Sequence, residues 1–244
     1  NFYKRKIGRS IAKANAVATI SDPCKQVLAD HYKFDEAIEV IRPGVDELFK
    51  PMDWNEKESI REKYAEGKAY FLFSGDTGHR SNLLNLLKAF SFFKKRQKSN
   101  MLVLIAGHVN AHFKKELKTY KYRQEVLLLE NLEKKELAKV IAAAYAMIHP
   151  VLYDDLALPV LQAMRSDVPV VASAVGSLPA ICGTAALYCD PADVNSIAEN
   201  MMLVFKDEQK AASLILAGKA VMQQYSWENS ADQLMALIDK AATK

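Results

Sequence analysis

Three cysteines, Cys24, Cys182 and Cys189, are all that 244 residues contain, and none stands in a CxxC pair. An odd, widely spaced set excludes a disulfide framework and a thiolate zinc site and fits a reducing compartment, so a cytoplasmic location is expected. No apolar run approaches the roughly 18 residues of a membrane span. The basic opening NFYKRKIGRS lacks the hydrophobic region of a signal peptide, and a chain that starts on Asn1 reads as a trimmed product whose upstream sequence stays open. Lys and Arg are not gathered into a basic block. With a net charge of +4 and acids interspersed, nucleic acid is not an expected partner, and KKRQK at 94–98 reads as a solvated helix end.

Other signatures are missing too. No GK[ST] or GxGxxG loop is present, and no GxSxG or other nucleophile–base pattern. Of the five histidines only His108 and His112 share a helical spacing, with no carboxylate to complete a metal triad, so neither a metal nor a cofactor is expected. No internal repeat or low-complexity tract is evident.

What the chain does have is half its residues apolar, a quarter charged, and a regular alternation. Short buried-strand runs (AVATIS, IEVIRPG, YFLFSG, LVLIAG, VLLLEN, AMIHPV, PVVASA, ALYCD) alternate with longer amphipathic stretches such as NLLNLLKAFSFFKKRQ and ELAKVIAAAY. That order predicts an α/β fold, a doubly wound parallel sheet covered by helices on both faces. Ligands of such sheets collect at the carboxyl ends of the strands, which selects the loops SGDTGHRSN, AGHVN and VLYDDLALP. Residues 1–49 are too short for a sheet of their own and read as the remnant of a preceding domain. Residues 50–66, with Pro51 and a run of acids, read as a linker, 67–225 as the Rossmann-like unit and 226–244 as a final helix capped at Ser226 or Asn229.

In FLFSGDTGHRSNLLNLL, Gly75 and Gly78 lie in the turn and a helix is expected to open near Asn82, an arrangement that turns backbone amides toward an anion. An ordinary strand-to-helix turn accounts for the same spacing. In YDDLALPVLQAM, Pro159 suits the first turn of a helix whose apolar residues pack inward, which an ordinary buried helix also explains.

The ordered series ANAVATISD, VIRPGVDELFKP, YFLFSG, LVLIAG, ELAKVIAAAYAMIHPVLYDD, ALPVLQAM, DVPVVASAVGSLPAICGTAALYCDP and YSWENSADQL resembles the C-terminal half of a family 4 (group 1) glycosyltransferase of GT-B fold. The resemblance runs through nearly the whole chain. It implies a nucleotide-sugar donor site in this half, most of the acceptor site in an N-terminal half, retention of anomeric configuration and no bound metal. The implied donor-site residues are Gly75, Asp76, Ser81, Asn82, Asp154, Leu158, Pro159, Val160 and Gln162, with the base near His108 and Leu129 to Asn131. No general base is named by it.

Departures from the family pattern fall on the donor site. Its Arg after the strand is Asp76 and its Lys five residues on is Ser81. Its EGFGLPVLEAM becomes DDLALPVLQAM, so both glycines are lost, and the second Glu is Gln162. Arg to Asp removes two units of charge, Lys to Ser and Gly to Asp one each, and Glu to Gln returns one, leaving the site three units more negative. Two lost charge-assisted bonds at about 1.5–3 kcal/mol each correspond to about two to four decades of donor affinity. Arg80 stands as the nearest replacement cation, and Asp155 is expected to cap its own helix. Three readings follow. One is a glycosyltransferase domain that is weak or inactive alone. A second is a non-catalytic pseudo-glycosyltransferase domain partnering another subunit, the missing N-terminal half or a second copy, with any peripheral membrane contact made through that half. A third is an unrelated phosphate- or nucleotide-binding module, which would need a positive pocket.

Overall fold

The computed structural model describes residues 2–32 and 38–243, so residues 1, 33–37 and 244 of the spans above lie outside the described residues. Two compact units divide the chain, residues 1–45 with 223–244, and residues 46–222.

In the smaller unit α1 (Phe2–Ile11), β1 (Val17–Thr19), α2 (Asp22–Tyr32) and β2 (Ile38–Val40) come first. The two strands pair parallel, Val17 opposite Ile38. In the larger unit α3 is Trp54–Ala65, β3 Tyr70–Ser74, α4 Leu83–Gln97, β4 Leu102–Ala106, α5 Ala111–Thr119, β5 Val126–Leu129 and α6 Lys134–Ala142. There follow β6 Ala146–His149, α7 Leu158–Arg165, β7 Val170–Ser173, α8 Leu178–Cys182, β8 Ala186–Cys189, α9 Val194–Lys206 and α10 Glu208–Met222. The last helix, α11 (Trp227–Ala242), returns to the smaller unit, where the Ser230 hydroxyl donates to the Arg42 carbonyl and the Asn15 amide donates to the Ala241 carbonyl at 3.1 Å.

All six strands expected for the main sheet form, and every pairing is parallel, in the order β5-β4-β3-β6-β7-β8. The register sets Phe71 between Val103 and Ala146. Every residue of β3 and β4 is buried, as strands covered on both faces require. On α4 the apolar residues Leu83, Leu86, Leu87, Phe90 and Phe93 recur at helical spacing and are buried. The Phe93 ring meets Phe71 edge-on at 5.0 Å and Phe205 of α9 at 5.1 Å, joining α4, α9 and the sheet in one core. On the side of α6, the buried Tyr70 hydroxyl donates to the Val140 carbonyl at 2.7 Å, and burial raises its pKa.

The stretch read as a linker over 50–66 needs correction, because residues 54–65 are α3. Asp53 accepts from the Glu56 amide at 2.8 Å while the Glu56 carboxylate accepts from the Asp53 amide at 3.0 Å, a capping box that starts a helix directly behind Pro51. Only Ile60 and Ala65 of this helix are buried, so its apolar periodicity is too faint to compete with the charge run.

Candidate functional site

The sheet grows from β3 outward through β4 and β5 in one direction, and from β6 through β7 and β8 in the other. Loops leaving neighbouring strands β3 and β6 therefore diverge to opposite faces and leave a crevice between them, the topological switch point at which such sheets bind ligands. Of the residues expected at the site, Gly75 to Asn82 follow β3 and Asp154 to Gln162 follow or open the helix after β6, so the topology brings them to one place. His108 follows β4, and Asn131 follows β5 on the outer edge; both are exposed.

Backbone and amide bonds hold the two crevice loops together. The Leu152 amide donates to the Arg80 carbonyl at 2.8 Å. Asn82, in a left-handed conformation after the 3-10 turn His79–Ser81, donates through its side chain to the carbonyls of Pro150 at 2.8 Å and Pro191 at 2.7 Å. Asn82 is thus a strut between three strand ends, a role its place before α4 does not reveal. Ser81 is 5% exposed and its hydroxyl donates to the Gly78 carbonyl at 2.6 Å, so it sits in the floor. Asp76 lies exposed on the rim.

The neighbouring loop is tied on by Thr77, which the sequence reading passed over. Its hydroxyl donates to the His108 carbonyl at 3.1 Å and accepts from the Asn110 amide at 2.8 Å. Beneath it, the strand ends approach so closely that a Cβ on Gly107 (φ +144°) would lie 2.1 Å from the Gly75 carbonyl oxygen. Only glycine fits at 107.

Across the crevice, the helix cap expected of Asp155 does not form, because α7 opens on Ala157 without a side-chain cap. Asp154, not Asp155, accepts the amides of Leu156 at 3.0 Å and Ala157 at 2.8 Å on Oδ1, and its Oδ2 meets Nε2 of His149 at 2.8 Å. Asp155 points aside, with Oδ1 3.5 Å from the Ser177 hydroxyl. His149 ends β6, is 3% exposed and stacks on Phe73 at 5.9 Å. Its Nδ1 is buried without a hydrogen-bond partner among the described residues. Burial pushes the Asp154 carboxyl up, but the His149 bond and the two amides outweigh it, and its pKa falls below the usual 3.8. The only sequence signal for this pair is a histidine closing an otherwise apolar strand, AMIHP.

On α7, Val160 is fully buried, Leu158 is 36% exposed, and Pro159 and Gln162 are half-buried. The two glycines absent from the family pattern separate physically. Asp155 occupies an ordinary backbone region and adds only a side chain and a charge, whereas Ala157 holds φ +55°. Left-handed backbone costs a residue with a Cβ about 1–2 kcal/mol. Ala157→Gly should therefore be neutral or stabilising, strain relief offsetting the roughly 0.8 kcal/mol of the buried methyl. Ala163→Gly, in the helical part of α7, should instead cost about 2 kcal/mol. Urea denaturation of the two variants checks this; equal losses would show that position 157 carries no strain.

Among the described residues no group of three or more His, Cys, Asp or Glu is placed to hold a metal, and no helix is long and apolar enough to cross a membrane. Cys182 and Cys189 are buried thiols whose pKa values burial raises to about 12 and about 11.

Residues 55–221 match the family model described as glycosyl transferases group 1. The chain belongs to the group 1 glycosyl transferases. Among curated members it is 25% identical to the O-antigen chain mannosyltransferase B of Escherichia coli, over 95% of this chain and 62% of the relative. It is 24% identical to the MMP alpha-(1->4)-mannosyltransferase of Mycolicibacterium hassiacum, over 99% of this chain and 57% of the relative. The chain thus spans 57–62% of the length of these two relatives. Solved structures share the fold. Sucrose-phosphate synthase from Thermosynechococcus elongatus superposes with a TM-score of 0.86 at 20% identity, over 98% of this chain and 61% of that one. Anabaena Alr3699/HepE, solved in complex with UDP, superposes with a TM-score of 0.79 at 16% identity, over 92% of this chain and 64% of that one. The fold is that of the Rossmann-like C-terminal half of a GT-B glycosyl transferase.

Proposed function

We propose that this chain supplies the donor-binding half of a sugar-transferring enzyme, and that the β3–β6 crevice receives the diphosphate of a nucleotide sugar. The observation that carries the reading is the crevice itself: the loops after β3 and β6 are locked to each other by the Leu152–Arg80 bond and by the Asn82 side chain. The frame is kept at the place where the family's cations would act. The mannosyltransferase relatives favour a mannosyl donor, and the UDP complex of a fold neighbour supports a nucleoside diphosphate as the group held.

Charge stabilisation of the departing diphosphate is usually the largest catalytic contribution, and this crevice offers Asp76 and Ser81 where the family has cations. Donor affinity is therefore expected to be low, with Kd on the order of 1 mM. Calorimetric titration with GDP-mannose, UDP-glucose and the free nucleotides tests this. Weak binding that the nucleoside diphosphate reproduces supports it, and absence of any binding up to about 20 mM rejects the donor role. A second reading, a non-catalytic partner domain, is favoured by the engagement of both Asp154 oxygens within the protein. Release of nucleoside diphosphate from the donor by the full-length protein excludes it.

A further inference from the structure

Beside the crevice lies a cavity of about 270 Å³ between the first turns of α4 and α5, bordered on the crevice side by Gly78, Ser81 and Leu152. Its composition is unlike the rest of the surface, since no Asp or Glu lines it, whereas Lys88, His79 and His112 do. All three side chains are exposed, and among the described residues none has an ion-pair or hydrogen-bond partner. Elsewhere on this unit Lys63, Lys94, Lys114, Lys134, Lys139 and Lys219 answer carboxylates, while among the described residues lysines such as Lys98 and Lys118 do not; Lys88 differs from these in lining a cavity with two histidines. The remaining polar walls are occupied internally. Asn85 donates to the Pro191 carbonyl at 3.1 Å, and Asn110 accepts the Phe113 amide at 2.8 Å. Three outward cationic or potentially cationic donors thus converge on one concave space, with rigid neighbours and no counter-charge in its lining. Asp76 is the nearest opposing group along the loop, with Oδ2 3.0 Å from where a Cβ on Gly78 would stand.

His79 lies on the loop that carries positions 76 and 81, and Lys88 and His112 line the same cavity. We propose that this cavity is a phosphoryl-binding subsite, in which Lys88, His79 and His112 take over the charge role that positions 76 and 81 lack; the proposal rests on the donor-binding reading above. Lys88 stands one helical turn beyond Leu84 on the exposed face of α4, and His112 lies in the opening turn of α5, so one small tetrahedral anion suits the gap between the two helices. A phosphate fits the volume, and a complete nucleotide does not need to, because Gly78, Ser81 and Leu152 of the crevice loops also line the cavity.

Inorganic pyrophosphate is the probe, titrated into the intact chain with calorimetry and with the imidazole proton signals of His79 and His112 as readouts. Lys88→Met should weaken pyrophosphate by about tenfold or more, the loss expected of one charge-assisted bond, while Lys88→Arg keeps most of it. Asp76→Asn should strengthen it, and both histidine signals should move on binding. All these side chains are exposed, so folding is not at stake. Equal affinity in wild type and Lys88→Met, or unmoved histidine signals at saturation, would overturn the proposal. GDP and UDP distinguish the source of the anion: parallel loss of both nucleotides in Lys88→Met assigns the cavity to the donor's diphosphate, whereas nucleotide binding that ignores Lys88 overturns that assignment. A chain that binds pyrophosphate in this manner and no nucleotide sugar would reject the donor-binding reading and leave the anion site standing.

Discussion

Replacing Asp76 by Arg and Ser81 by Lys together should tighten GDP or UDP binding by about two to four orders of magnitude, the equivalent of two charge-assisted hydrogen bonds at about 1.5–3 kcal/mol each. The two positions will not contribute equally. Asp76 is exposed on the rim, so an Arg there reverses a charge at no packing cost. Ser81 is buried and bonded to Gly78, and a Lys must give up that bond and thread its stem out of the floor, so most of the gain should come from position 76. Adding Asp155→Gly should contribute only by removing a charge, because the backbone there is already ordinary. Calorimetry at low and high ionic strength decides the matter, since a gain made of charge must shrink as salt is added. A double variant no tighter than wild type would show that the diphosphate does not enter between the loops after β3 and β6.

Asp154→Ala should lower stability by about 2–4 kcal/mol, through lost bonds to an ionised group and the buried donors left unpaired. The melting temperature should fall by roughly 5–15 °C. Truncation leaves the amides of Leu156 and Ala157 without their acceptor, and strands the buried Nε2 of His149. Asp154→Asn retains an acceptor for the amides and should cost less. The sign of the pH dependence follows from the depressed pKa of Asp154. A carboxylate held below its unfolded value contributes its stability above about 3.8 and loses it as the pH falls through the folded value. The gap between wild type and Asp154→Asn in urea denaturation should therefore be full at pH 7 and narrow below pH 4. A constant gap would mean that the Asp154 carboxyl is neutral and the His149 contact is incidental.

The sheet was legible in the sequence because strands buried on both faces write themselves as unbroken aromatic, aliphatic or β-branched runs. YFLFS and LVLIA leave no other reading once Gly follows each. Helix α3 was not, since its definition lies in a reciprocal cap rather than in apolar periodicity. At the site, chain order placed the correct loops on the crevice, but spacing cannot say which of two adjacent acids turns inward. Asp154 takes the loop amides of Leu156 and Ala157 and Asp155 does not, because those amides are placed by the left-handed Ala157, a conformation that Ala does not advertise. Asn82 also spans three strand ends, a function set by Pro150 and Pro191, remote in sequence.

Beside the crevice, the ends of β3 and β4 approach so closely that no side chain fits at Gly107. The residues that hold the frame are therefore different from those that set its charge. Drift at 76 and 155 alters what the crevice attracts while the native sheet remains accessible, and the reverse changes are equally open. Such a scaffold can lose a ligand preference and recover it, or acquire another, by surface substitutions alone. For protein engineers, a library confined to the rim and excluding 75 and 107 would sample altered donors at little risk to the fold.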